Sequence, residues 1–200
     1  MTVKIVDTAD VSPQAQIGDG TSVWHLSQIR ENAVVGENCV IGRASYIGEG
    51  AEVGNNCKIQ NLAQIYEPAK LEDGVFIGPA VVLTNDQYPR AINPDGSAKS
   101  ASDWESVGVT IRKGAAIGAR SVLVAPLEVG EWALVAAGST VIRDVPAFAL
   151  VVGSPARQIG WVGKQGHRLI ATDEDTKILR CPVSGDLYIE KENGTIEEIS

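Results

Sequence analysis

The chain has 200 residues and 44% hydrophobic content, enough for one core-bearing domain with a small appendage. A formal net charge of −8 argues against a general nucleic-acid binder, which needs a basic footprint, but leaves room for a locally basic pocket. Phe, Trp and Tyr make up only 5%, as expected of a narrow interior filled by Val, Ile, Ala and Ser.

Residues 1–10 carry charges and no apolar run, so neither a signal peptide nor a membrane span is expected, and a cytoplasmic location is. This stretch is expected to be a lead-in strand that caps the open end of a column of repeats. From Val11 an aliphatic residue recurs at every sixth position: Val11, Ile17, Val23, Ile29, Val35, Ile41, Ile47, Val53, Ile59, Ile65, Leu71, Ile77. Four residues after each comes a small or slim one, from Ala15, Thr21 and Ser27 to Val81, with Cys39 and Cys57 among them. A period of six fits neither a helix nor a heptad, so the unit is a short strand plus a turn. The two apolar positions are two residues apart across each strand and both point inward. Between them stand pairs that accept left-handed backbone: Asp19-Gly20, Glu37-Asn38, Glu49-Gly50, Asn55-Asn56 and Asp73-Gly74. Three units close one triangular coil of eighteen residues, and coils stack about 4.8 Å apart through parallel hydrogen bonds. Cys39 and Cys57, in inward slots, read as small buried hydrophobes rather than reactive thiols.

The repeat fails after Leu83, where Gln87 stands in place of a small residue. Residues 84–108 are polar and rich in Pro, Gly, Asp and Ser, a long insertion of the kind that serves a site. The repeat resumes at Ile111, Ile117, Leu123, Val129, Val135 and Val141 for two more coils. Leu127, after Pro126, is the one bulky residue in a small slot and marks a distorted corner. Beyond Val145 the chain leaves the prism as a strand. Residues 178–200 read as short β segments with turns at Ser184-Gly185 and Asn193-Gly194, a C-terminal hairpin.

Tandem hexapeptides of this pattern resemble the left-handed parallel β-helix of the hexapeptide-repeat acyltransferases. That resemblance implies an all-β, left-handed parallel β-helix of about six coils, with a long inserted loop and a small C-terminal β-hairpin extension. The helix domain is expected over 1–162 and the extension over 163–200. Trp24-His25 with Arg30, the stretch IQNLAQIYEPAKLEDGVFIGPAVVLTNDQYPRA and the stretch DVPAFALVVGSPARQIGWV are similar to one branch. These are the N-acetyltransferases of nucleotide-linked 3-amino sugars. Asp86, within TND, tips the resemblance toward enzymes of dTDP-linked 3-amino-3,6-dideoxyhexoses. The alternatives are a UDP-linked 3-amino uronic acid enzyme, or another hexapeptide O- or N-acyltransferase, including one that uses a longer acyl group.

The resemblance implies acetyl-CoA as co-substrate and a homotrimer with sites between subunits. Asn85 is expected to orient the incoming amine, the alternative being a turn former, and Asp86 to accept a hydrogen bond from the sugar or to be a solvated carboxylate. Trp24 is expected to stack on a base or sugar face while His25 or Arg30 meets phosphate; otherwise the pair packs between subunits. Tyr66 and Glu67 face the pocket or lie on the surface, and Arg90 anchors a diphosphate or is an ordinary loop charge. Ala136, Ala137 and Gly138 offer smooth backbone to the pantetheine arm, and Arg143 and Arg157 either bind the coenzyme phosphates or form surface ion pairs. A sugar amine sheds its proton more readily than lysine, so little base assistance is needed, and His25 is the single prism histidine. Some relatives continue into a zinc ribbon. Here Gly163-Lys164-Gln165 and Cys181-Pro182-Val183-Ser184-Gly185 stand in its ligand positions, and one thiolate cannot hold tetrahedral zinc, so no metal is expected. Two histidines in all exclude the three-histidine zinc site of a γ-class carbonic anhydrase. A purely structural β-helix has no use for the TND and PR residues of the insertion.

Overall fold

A computed structural model describes residues 2–172, 177–192 and 194–199. The chain winds into a three-sided parallel β-helix, with two-residue strands separated by four-residue corners through most of its length. Successive strands of one side are 18 residues apart, as in Lys4↔Ser22, Gln28↔Tyr46 and Val34↔Glu52. The three sides are called face A (strands from Lys4–Ile5 to Ala156–Trp161), face B (Asp10–Val11 to Thr140–Val141) and face C (Gln16–Ile17 to Leu127–Val129). They hold nine, seven and six strands among the described residues. The edge that follows each face takes its letter.

The inward aliphatic residues predicted from the period are buried from Val23 onward, in one continuous column with the small residues between them. Three small hydroxyl residues donate to a carbonyl of the next coil: Thr21 to Gly36 at 2.8 Å, Ser27 to Gly42 at 2.7 Å and Ser45 to Gln60 at 3.0 Å. Cys39 and Cys57 make the same bond with sulfur, to Gly54 at 3.1 Å and Glu72 at 3.2 Å. The adjacent Cys39 thiol and burial push the Cys57 thiol up, which keeps it protonated and inert.

The column exceeds the expected six coils at both ends. Lys4–Ile5 pairs with Ser22–Val23 as one more parallel rung. It is therefore a rung and not a cap: Ile5 is 45% exposed. At the other end Ala149–Gly153 pairs with Leu134–Val135, giving face A eight parallel rungs before the antiparallel return of Ala156–Trp161. The insertion lengthens one coil from 18 to 40 residues, yet Lys70↔Thr110, Phe76↔Ala116 and Val82↔Val122 keep all three sheets in register across it. Leu127 is buried and pairs with Val109; the Ala125-Pro126 bond at its corner is cis.

The C-terminal extension is larger than a hairpin. Ile170–Ala171, Ile178–Arg180, Leu187–Glu190 and Ile196–Ile199 form a four-stranded antiparallel sheet. It docks through Tyr188, fully buried, whose ring meets Phe148 edge-on at 5.5 Å and whose hydroxyl accepts from Lys164 N at 3.2 Å. Lys164 also pairs with Glu198. The turn at Ser184-Gly185 is present, with Gly185 at φ 83° and Ser184 N donating to Cys181 Sγ at 3.5 Å. Of the second predicted turn, Asn193 lies outside the described residues. No helix among the described residues is long and apolar enough to cross a membrane.

Candidate active site

Edge B gathers most of the predicted polar residues, because positions 18 apart stack there. Arg30, Gly48, Tyr66 and Thr84 occupy one column on successive rungs, each just after a face B strand. Gly48 leaves a gap, and the carboxylate of Glu67 folds back into it: a methyl group at position 48 would lie 2.2 Å from Glu67 Oε2. That oxygen is buried and has no hydrogen-bond partner. The rings of Tyr46 and Tyr66 stand beside it, centroids 5.1 Å apart and tilted by 47°. Burial, then the nearby Glu67 charge, pushes the Tyr46 hydroxyl up. Below them Arg30 Nε donates to Glu31 Oε2 at 2.7 Å. The Glu31 partner raises Arg30; hydrogen bonds from its own backbone and from Arg30 lower Glu31.

The insertion opens and closes over this group. Asn85 O accepts from Val107 N at 3.0 Å, Ser106 Oγ donates to Glu67 O at 3.4 Å, and Thr84 Oγ1 accepts from Ala125 N at 3.0 Å. Asn85 and Glu67 therefore sit on neighbouring rungs of edge B beneath the two ends of the loop. Asp86 Oδ1 accepts from Tyr88 N at 2.8 Å and so holds its own turn, beside a small 170 Å³ recess shared with Lys99 and Trp104. Arg90 is exposed, its Nη1 donating to Pro89 O at 2.8 Å within the loop.

Other predicted residues lie elsewhere. Trp24 and His25 are on edge A, across the width of face B from Glu67. His25 Nδ1 is 2.8 Å from Thr8 Oγ1, and Lys4 Nζ lies 4.5 Å over the Trp24 ring. The two residues border a depression of 410 Å³ with Gly42, Arg43 and Asn61. Five rungs up the same edge, about 24 Å at the usual strand spacing, Ala137 and Gly138 are exposed beside half-buried Ala136. The edge is tight here, since a methyl at Gly118 would lie 2.4 Å from Ala137 N. Arg143 is exposed at the top of edge B. Arg157 is exposed on the return strand, donating to Ala156 O at 2.9 Å. One chain thus assembles Arg30, Tyr66, Glu67, Asn85 and Asp86 in one place, and Trp24, His25 and Ala136–Gly138 along another.

Tyr46 and Glu31 escaped the sequence reading. An outward strand residue looks like ordinary surface until the 18-residue register sets Tyr46 opposite Gln64, two residues from Tyr66. No group of three or more His, Cys, Asp or Glu side chains among the described residues is placed to hold a metal ion.

The family description "Bacterial transferase hexapeptide (six repeats)" matches residues 14–49 and 50–85, and "Hexapeptide repeat of succinyl-transferase" matches 107–143. Over 59 residues, 29% of this chain and 31% of the relative, the sequence is 58% identical to the dTDP-3-amino-3,6-dideoxy-alpha-D-galactopyranose 3-N-acetyltransferase of Aneurinibacillus thermoaerophilus. The chain spans about a third of the length of the first curated relatives it matches. Among solved structures, the fold resembles LpxA, a UDP-N-acetylglucosamine acyltransferase from Bacteroides fragilis. That likeness has a TM-score of 0.65 at 18% identity, over 80% of this chain and 61% of the other. It also resembles AntD, an N-acyltransferase from Bacillus cereus solved with dTDP and coenzyme A, with a TM-score of 0.51 at 20% identity, over 82% and 83%. With both hexapeptide descriptions falling on the coils that the structure stacks, the chain belongs to the bacterial transferase hexapeptide-repeat family.

Proposed function

We propose that the chain is an acetyl-CoA-dependent N-acetyltransferase acting on the 3-amino group of a nucleotide-linked 3-amino-3,6-dideoxyhexose, with dTDP as the carrier. The observation that carries this reading is Glu67 Oε2. A buried carboxylate oxygen without a partner is costly, and an amine offers the hydrogen bond it lacks. Glu67 accepts from the amine, the Asn85 side chain orients it, and Tyr46 and Tyr66 present ring faces to the sugar. The 58% identity to a dTDP-amino-sugar acetyltransferase supports the sugar class, over a limited stretch.

When bound, acetyl-CoA supplies an activated thioester. The exposed Ala137-Gly138 strip on edge A suits the narrow pantetheine arm, and Arg143 and Arg157 are free enough to reach its phosphates. Because edges A and B lie at opposite sides of face B, the reading includes a trimer in which one copy's edge A meets its neighbour's edge B. His25 then reaches an amine only from a neighbouring copy.

The test is acetyl transfer from acetyl-CoA to dTDP-linked 3-amino-3,6-dideoxyhexoses and to UDP-linked 3-amino uronates, followed by mass spectrometry and paired with thermal shift. A ligand at one hundred times its Kd adds about 2.7 kcal/mol. Stabilisation and turnover with dTDP-sugars are expected; turnover with UDP-uronates alone overturns the sugar assignment.

A further inference from the structure

The three edges solve one backbone problem with different residues. Most corners need a left-handed residue, a conformation that strains an L-amino acid with a Cβ and that Gly and Asn adopt readily. Edge C supplies Gly20, Asn38, Asn56, Gly74 and Gly114, and edge B supplies Asn32 and Gly50. Edge A instead places Leu26 (φ 60°), Ala44 (φ 54°), Leu62 (φ 65°) and Ala80 (φ 55°) there, and above the insertion Arg120 (φ 59°) and Gly138 (φ 72°). Left-handed backbone is common to the whole edge, so what sets Arg120 apart is its charge. The chain has 25 acidic residues, yet above the first coil the corners of edge A hold none. Edge B has Glu31, Glu49, Glu67 and Asp144 in its corners, and edge C has Asp19, Glu37, Glu72, Asp73 and Glu131.

Arg120 therefore lacks a partner within its chain. Its backbone N–H donates to Pro79 O at 2.8 Å, while its exposed guanidinium makes no hydrogen bond or ion pair among the described residues. The outward residues beside it are Ala116 and Val122 on its own coil and Leu134 and Thr140 on the next, all uncharged. Arg112, by contrast, is held between Glu72 and Glu128. Arg120 stands directly below Ala137-Gly138, since Gly138 N donates to Ala119 O at 2.8 Å. Exposed Arg157 lies beyond that strip, just after the turn that pairs Gly153 with Ala156. A guanidinium meets phosphate oxygens in bidentate, charge-assisted pairs. In a chain of net charge −8, a lane free of carboxylates is where a polyanion is least repelled. We infer that Arg120 binds a phosphate group of coenzyme A laid along edge A, a role the sequence suggests only for Arg143 and Arg157. The inference deepens the proposed function and rests on its choice of acetyl-CoA as co-substrate.

The left-handed backbone allows a clean test, because asparagine keeps the corner and removes the charge. Calorimetry of the intact protein with CoA and with 3′-dephospho-CoA compares wild type, Arg120→Asn and Arg120→Lys, with the thermal midpoint of each measured without ligand. Arg120→Asn is expected to weaken CoA binding about tenfold or more, as for a lost hydrogen bond to a charged group, while its midpoint stays level or rises. Arg120→Lys keeps the charge without the fork and should bind between the two. An equal loss for dephospho-CoA assigns the contact to the diphosphate, and a loss confined to CoA assigns it to the 3′-phosphate. Unchanged CoA affinity in a folded Arg120→Asn overturns the inference. So does a midpoint that falls with the affinity, which marks a guanidinium engaged within the assembled protein. Arg120→Gly serves if the asparagine variant does not fold. A wild type that binds no CoA overturns the acetyl-CoA reading and the inference with it, whereas wild-type binding matched by the variant removes the inference alone.

Discussion

Edges B and C run parallel along one column, turn through the same backbone angle, and differ in what their side chains do with it. On edge C the corner groups satisfy each other: Asn55 Oδ1 accepts from Glu37 N at 2.8 Å, and Asp73 Oδ1 accepts from Asn55 N at 2.6 Å. Higher up, Glu72 accepts from both Arg112 at 2.8 Å and Lys113 N at 2.9 Å. On edge B the ladder gives way to Glu67-Pro68 and Ala125-Pro126 with the insertion between them, and Glu67 keeps an unsatisfied oxygen. A polar group bonded within the chain contributes to folding; one left open is available to a ligand. On the proposed function, the repeat therefore segregates stability and chemistry by edge.

Glu67→Gln tests this most sharply. The substitution should lower kcat/KM for the amino sugar by about 100-fold, in the usual range for a positioned proton acceptor, while the thermal midpoint stays level because the oxygen it replaces makes no hydrogen bond within the chain. A parallel loss of activity and stability would place Glu67 among the structural groups. Asn85→Ala should come next, with turnover reduced about tenfold, or 1.4 kcal/mol, and CoA affinity by calorimetry nearly unchanged. On edge C the signs reverse. Gly74 has φ 71° and only Gly114 atoms at 4.0 Å from where a methyl would stand. Gly74→Ala should therefore cost about 1 kcal/mol in urea titration through backbone strain alone, with kinetics intact.

The smallest effect is a pH dependence. The hydrogen bond from Arg112, with that from Lys113 N, holds the Glu72 carboxyl below its ordinary value. A lowered folded pKa means that the stabilisation is complete above the unfolded value, near pH ~4.3 for glutamate. It is lost as pH falls through the folded one. Glu72→Gln should flatten that acid limb of the stability curve. The change should stay below about 1 kcal/mol, since both partners are substantially exposed.

The column itself was legible because period six leaves one way to hide Ile41, Ile59 and Ile77 together, and the corners were legible as Asp-Gly and Asn-Asn pairs. Less legible were corners that use Leu26 or Ala44, since no local preference asks for left-handed backbone there. The residues of the proposed site were readable as a set around the insertion, yet their division between two edges emerges only after position is counted in eighteens and then in forty across the loop. Glu67 stands out in the sequence because Tyr66-Glu67 interrupts the plainer pattern of corner residues; that its carboxylate enters the gap at Gly48 is a side-chain matter no spacing encodes. The extension exceeds its sequence signal because Ile170–Ala171 is two residues long, too short to announce a strand.

The 40-residue coil has a consequence for how such a protein can change. Its loop departs at Leu83 and returns at Val109 without costing any sheet a pairing partner. It behaves like an exchangeable cartridge in a fixed housing. Loops of other lengths could be spliced between those two residues to retarget recognition while the melting behaviour of the housing stayed the same.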